Sequence, residues 1–111
     1  MNARIYYRVS TEEEQDTRLQ QAACQEWCKL RGYAVVREYQ DEGYSRDSDP
    51  GSRPGFASLM EDIQPGEVIV VYHRDRLGTG IALALLERDL KTLGVRTENT
   101  KGAGNGETLE D

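Results

Sequence analysis

Positive charge is what this sequence has least of. Fourteen Lys and Arg face 20 Asp and Glu, for a net charge of -6 at pH 7. Non-specific grip on nucleic acid scales with the phosphates that Lys and Arg neutralise, so bulk electrostatics cannot hold this chain on DNA. Any such contact must come from local clusters or from another domain. Cysteine is scarce too, at two residues, Cys24 and Cys28. The opening Met1-Asn2-Ala3-Arg4 leads into a strand pattern rather than a signal peptide, which predicts reduced thiols and a cytoplasmic location. No apolar run approaches membrane-span length, so no membrane partner is expected. There is one histidine, His73. No His, Cys and carboxylate set has metal-ligand spacing, so neither a metal nor a cofactor is expected. What is present suits a soluble globular domain: 37% hydrophobic and 31% charged residues in a chain of 111, enough for one modest core.

Alternating helix and strand signals run along the chain. Residues 4–8 are short and β-prone. Thr11 and Glu14 have capping-box spacing for a following helix. Leu19, Ala23, Trp27 and Leu30 then recur at spacings of four, four and three, which predicts one buried helical stripe. Gly32 stops that helix. Residues 33–39 form a second strand, and residues 41–55 a long loop rich in Gly, Ser, Asp and Pro. A short helix follows over 56–63, with Pro54 near its start. The run Val68-Ile69-Val70-Val71-Tyr72 is continuously apolar, as in a parallel strand buried on both faces. Leu83, Leu86, Leu90 and Leu93 mark one face of a helix over 81–93, ended by Gly94. Residues 95–98 form a last strand. The order β-α-β-α-β-α-β predicts an α/β fold, a mainly parallel four-stranded sheet flanked by helices. The domain spans 1–98, with a polar, Gly-rich tail or loop over 99–111.

In such sheets, ligand sites gather beyond the carboxyl ends of the strands. Arg8-Val9-Ser10 follows the first strand, Arg53 lies in the loop after the second, and His73-Arg74-Asp75-Arg76 follows the third. A hydroxyl nucleophile, several arginines and a carboxylate could meet at one edge. That set suits attack on a phosphodiester, with serine as oxygen nucleophile and guanidiniums neutralising the phosphate. Each member has a plainer reading. Ser10 or Thr11 can cap the first helix. Asp75 and Arg76 can be a surface ion pair. Arg53 can be a solvated loop residue, His73 structural, and Cys24 and Cys28 small core residues.

The local strings go further. Tyr7-Arg8-Val9-Ser10-Thr11, followed by Gln15 and Gln20, resembles the opening signature of serine site-specific recombinases. Asp41-Glu42-Gly43-Tyr44-Ser45, followed by Arg53-Pro54-Gly55-Phe56, is similar to that family's second block. Val70-Val71-Tyr72-His73-Arg74-Asp75-Arg76-Leu77-Gly78 resembles the third, in the form found in large serine integrases. The blocks stand in family order across residues 4–97. The resemblance implies a resolvase-like catalytic domain that cuts duplex DNA through a 5′-phosphoserine link, needing no metal or ATP. It implies Ser10 as nucleophile and Arg8, Arg53 and Arg76 as phosphate-binding arginines. Asp75 would organise the site, with Gln15 and Gln20 as supporting polar groups. It further implies a homodimer or tetramer, built through a long helix and a DNA-binding domain that the family carries beyond the point where this sequence stops.

One position departs from the pattern. The third block ordinarily reads Asp-Arg-Leu-x-Arg, its last Arg catalytic, and Thr79 stands there. The departure implies slow or absent cleavage, unless Arg74 or Arg88 supplies the charge. It also opens a second reading, an impaired relative acting as an assembly or regulatory module. A third, unrelated reading is an α/β domain that binds a small phosphorylated ligand.

Overall fold

The computed structural model describes residues 1–9, 14–44 and 48–101, with backbone alone at 14–16 and 50. Four strands, β1 (Asn2–Val9), β2 (Ala34–Glu42), β3 (Val68–Val71) and β4 (Arg96–Asn99), alternate with three helices, α1 (Glu14–Arg31), α2 (Pro54–Asp62) and α3 (Gly80–Thr92). Single 3₁₀ turns lie at Pro50–Ser52 and Arg74–Arg76. Every strand pair is parallel, in the order β2-β1-β3-β4. The expected α/β architecture is therefore present, with an all-parallel sheet.

Side-chain alternation on β1 divides the core in two. Ala3, Ile5, Tyr7 and Val9 pack with Val68, Val70, Cys24 and Cys28 on the α1 side. Tyr6 points the other way, into a cluster with Phe56, Leu59, Ile63, Ile69, Val71, Leu77 and Leu90 beneath α2 and α3. All four β3 residues are buried, as its unbroken apolar run requires. The Tyr6 and Phe56 rings meet edge to face, with centroids 5.3 Å apart at 77°. Such pairs are worth about 0.5–1.5 kcal/mol beyond their area burial.

Helix α1 corrects the expected stripe. Leu19 is 52% and Leu30 77% exposed, whereas Gln20, Cys24 and Cys28 are buried. The true inward face is offset by one residue, because two cysteines and a glutamine carry it and the leucines do not. Trp27 is half-buried, and its Nε1 donates to Glu98 at 2.8 Å. The glutamate also accepts from the Tyr33 hydroxyl at 2.7 Å and pairs with Arg96 at 3.1 Å, which accounts for a carboxylate buried on β4. Gly32, at φ +73°, ends α1 in the left-handed region as expected.

Other boundaries move by a residue or more. β1 extends to Asn2 and Val9. β2 runs on to Glu42, so Asp41 and Glu42 belong to the strand and not to the loop. α2 begins at Pro54, α3 ends at Thr92, and Leu93 lies half exposed beyond it. β4 covers Arg96–Asn99, and Asn99, assigned above to the tail, is buried. Ordered pairing continues one step further: the Thr100 and Lys101 amides donate to the Val71 and Tyr72 carbonyls, each at 3.0 Å. Residues 102–111 lie outside the described residues, as does the Thr11 half of the capping box.

Candidate active site

The strand order sets the place of the site. From β1 the chain winds first to β2 on one side and then to β3 on the other, so the carboxyl ends of β1 and β3 flank a switch point. Crevices form at such points because the connecting loops diverge there. Arg8 is the penultimate residue of β1, and Asp75 and Arg76 form the turn after β3. They meet at this edge of the sheet. Arg8 donates to the Asp75 carbonyl at 3.1 Å and to the Tyr44 carbonyl at 2.8 Å. Its Nε is buried with no partner among the described residues. Arg76 donates to Asp75 Oδ1 at 2.9 Å. Ser10 follows Val9 directly in the sequence and lies outside the described residues, and so does the side chain of Gln15. The Gln20 side chain is buried and donates to the Arg8 carbonyl at 3.1 Å, tying α1 to the end of β1.

Arg53 is 0% exposed, so it is not the solvated loop residue of the plainer reading. One terminal nitrogen donates to the Arg76 carbonyl at 2.8 Å and the Tyr6 hydroxyl at 3.2 Å. The other donates to the Leu77 carbonyl at 2.7 Å and the Ser48 carbonyl at 3.2 Å. Its two terminal nitrogens thus reach three loop carbonyls and one β1 hydroxyl, while its Nε is buried with no partner among the described residues. Arg53 is thus a brace beneath the crevice, and its charge is felt from below.

Sequence reasoning passed over the residues that seat this brace. The Tyr6 hydroxyl donates to Asp41 Oδ2 at 2.8 Å. Asp41 also accepts from the Gly55 and Phe56 amides at 2.7 and 2.9 Å, capping α2 where Pro54 leaves free donors. A Cβ on Gly55 would stand 2.6 Å from the Gln40 carbonyl oxygen and 3.0 Å from each Asp41 oxygen. The available signal was an aspartate a dozen residues ahead of a Pro-Gly helix start.

Positive charge gathers at this edge of the sheet. Burial, then the neighbouring Arg76 and Arg53 guanidiniums, hold Arg8 below the usual arginine range, while Asp75 pulls it the other way. Three cations converge in a chain of net charge -6, and an anion placed there would relieve their mutual repulsion. His73 caps the turn: its Nδ1 accepts from the Asp75 amide at 3.1 Å and lies 3.2 Å from Asp75 Oδ1. Thr79 is the N-cap residue of α3. Of the two arginines named above as substitutes for its missing charge, Arg74 grips Glu87 through two contacts of 3.0 and 2.6 Å, and Arg88 is exposed with Asp89 at 3.4 Å. Among the described residues, no group of three or more His, Cys, Asp or Glu is arranged to hold a metal, and no helix is long and apolar enough to cross a membrane.

Known proteins share this fold. The family described as "Resolvase, N terminal domain" matches residues 3–104. An Escherichia coli protein described as "Resolvase" is 31% identical over 104 residues, which is 94% of this chain and 44% of the relative. The chain thus spans less than half the length of that relative. Among solved structures, the C-terminal catalytic domain of ISC1926 TnpA, an IS607-like serine recombinase, superposes with TM-score 0.78 at 25% identity, covering 93% of this chain and 72% of that one. The corresponding domain of IS1535 TnpA gives 0.72 at 32% identity, over 87% and 69%. The N-terminal catalytic domain of TP901-1 integrase shares the fold, with TM-score 0.71 at 23% identity over 90% and 77%. With the family matched over nearly its whole length, the chain belongs to the resolvase N-terminal domain family.

Proposed function

We propose that this chain is the catalytic domain of a serine recombinase that cuts and rejoins duplex DNA through Ser10. The observation that carries this reading is the convergence of Arg8, Arg53 and Arg76 at the β1–β3 switch point, with Arg8 two residues before Ser10 in the sequence. In the proposed reaction the Ser10 hydroxyl oxygen attacks the scissile phosphorus. As the hydroxyl loses its proton, the bond from phosphorus to the 3′ oxygen breaks and that oxygen takes up a proton, so that the net change moves one proton from Ser10 to the 3′ hydroxyl. Arg8 and Arg76 hold the phosphate oxygens, and the charge growing on them in the transition state strengthens both contacts. Arg53 keeps the Arg76 loop in place, Asp75 orients Arg76 and assists protonation of the leaving oxygen, and Gln15 and Gln20 support the end of β1. The 5′-phosphoserine link conserves the bond for rejoining, so the chemistry calls for no cofactor. The working form is a homodimer or tetramer on DNA.

Thr79 favours a second reading beside the first, a slowed or inactive relative that acts in assembly or regulation, since Arg74 is held by Glu87. The experiment is a cleavage assay on a nicked duplex that traps the covalent intermediate. Covalent DNA that depends on Ser10 supports the enzyme. If neither the natural protein nor Thr79→Arg forms any, the second reading stands.

A further inference from the structure

The crevice has a fourth cation on its rim that no family motif supplies. Lys101 follows β4 at the same edge of the sheet, next to the carboxyl end of β3. Its backbone is anchored there: its amide donates to the Tyr72 carbonyl at 3.0 Å, and the Thr100 hydroxyl donates to the same carbonyl at 3.2 Å. Its ammonium sits 5.6 Å from the centroid of the Tyr72 ring, and the Arg76 guanidinium carbon lies 5.8 Å from that same centroid. One half-buried tyrosine therefore gathers two cations by cation–π attraction. The two differ in what offsets them. Arg76 is paired with Asp75, whereas no carboxylate among the described residues pairs with Lys101. Lys101 is also exposed, so its charge faces whatever lies over the crevice. With Thr79 uncharged and Arg74 gripped by Glu87, Lys101 is an exposed cation at this edge, anchored beside Arg76, that can take a new anion.

We propose that Lys101, held on the Tyr72 ring, binds a DNA backbone phosphate beside the scissile one and makes up in DNA affinity, though not in stabilising the cleavage transition state, for the positive charge absent at Thr79. The proposal rests on the reading of this edge as a DNA-cleavage site. A lysine is suited to the task as a point charge for a phosphate oxygen, and the ring limits its freedom before DNA arrives.

The test is binding of the protein to a short fluorescent duplex of arbitrary sequence across a salt series. Lys101→Gln is expected to lower the slope of log affinity against log salt by about one, the loss of one phosphate contact. Lys101→Arg keeps the slope, and Tyr72→Phe, which retains the ring, keeps it too. Adding Thr79→Arg to Lys101→Gln restores it. An unchanged slope in Lys101→Gln, alongside a lowered slope in Arg76→Gln, overturns the role of Lys101 and leaves the cleavage reading standing. Unchanged slopes in Lys101→Gln, Arg76→Gln and Arg8→Gln together overturn both. Lys101 is exposed, so its substitution should leave the fold intact, and an unaltered thermal melt checks this.

Discussion

At the scale of single residues, the site depends on contacts made behind it. Arg53 spans four acceptors on three segments, and a lysine cannot reproduce a planar fork that reaches both the Arg76 and Leu77 carbonyls. Arg53→Lys should therefore lower thermal stability and cleavage together. Ser10→Ala, in contrast, should abolish cleavage with little change in the melt. Gly55→Ala pushes a methyl group against the Gln40 carbonyl at 2.6 Å, and overpacking of this kind costs about 1–3 kcal/mol. A domain of this size loses several degrees of melting temperature for each kcal/mol. A melt unchanged by Gly55→Ala would show that the backbone at Gln40 can yield. The motifs made Arg8, Arg76 and Asp75 readable as members of one site, because residues after parallel strand ends share an edge. They could not reveal that Arg53 faces inward. Direction depends on which carbonyls lie unpaired beneath it, and that is a property of the folded loops.

At the scale of elements, β3 was legible because four consecutive apolar residues leave no polar face to expose. α1 was not, since its leucines are exposed and its buried face is made of Gln20, Cys24 and Cys28. Burial pushes the two thiols up, to about 12 for Cys24 and about 11 for Cys28. Since the thiolate is the reactive form, native protein should react slowly with a thiol reagent at neutral pH, and fully only once unfolded. Rapid native labelling of both would contradict the packing of α1. At the other end of β1, Arg4 grips Glu67 through Nε at 2.8 Å. That contact, helped by the Gln64 amide, holds the Glu67 carboxyl below its ordinary range. A carboxylate depressed in the folded state adds stability above its unfolded pKa, and that stability is lost as pH falls through the folded value. Glu67→Gln should therefore lower the urea midpoint near neutral pH and flatten the decline of the midpoint in acid. An acid limb as steep as in the natural protein would show that the pair contributes no pH dependence.

At the scale of the whole molecule, a net charge of -6 opposes DNA, while in the proposed reading three arginines and Lys101 attract it at one edge. The chain alone should bind duplex DNA weakly and lose that binding as salt rises, because few phosphate contacts act against a repelling body. Fold class was readable from the order of elements, since alternating helices and strands leave little besides a parallel sheet. The offset between a charged edge and an acidic body was not, because composition averages over the surface. The central claim is that Ser10 becomes joined to DNA in this anion site. It is tested most directly by trapping covalent protein–DNA on a nicked duplex with the natural protein, Thr79→Arg and Thr79→Arg/Ser10→Ala. The account predicts a 5′-linked adduct that is faint in the natural protein, stronger by about 10²–10³ in rate when the guanidinium is restored, and absent without Ser10. An adduct that persists in Ser10→Ala, or none in Thr79→Arg, would contradict it.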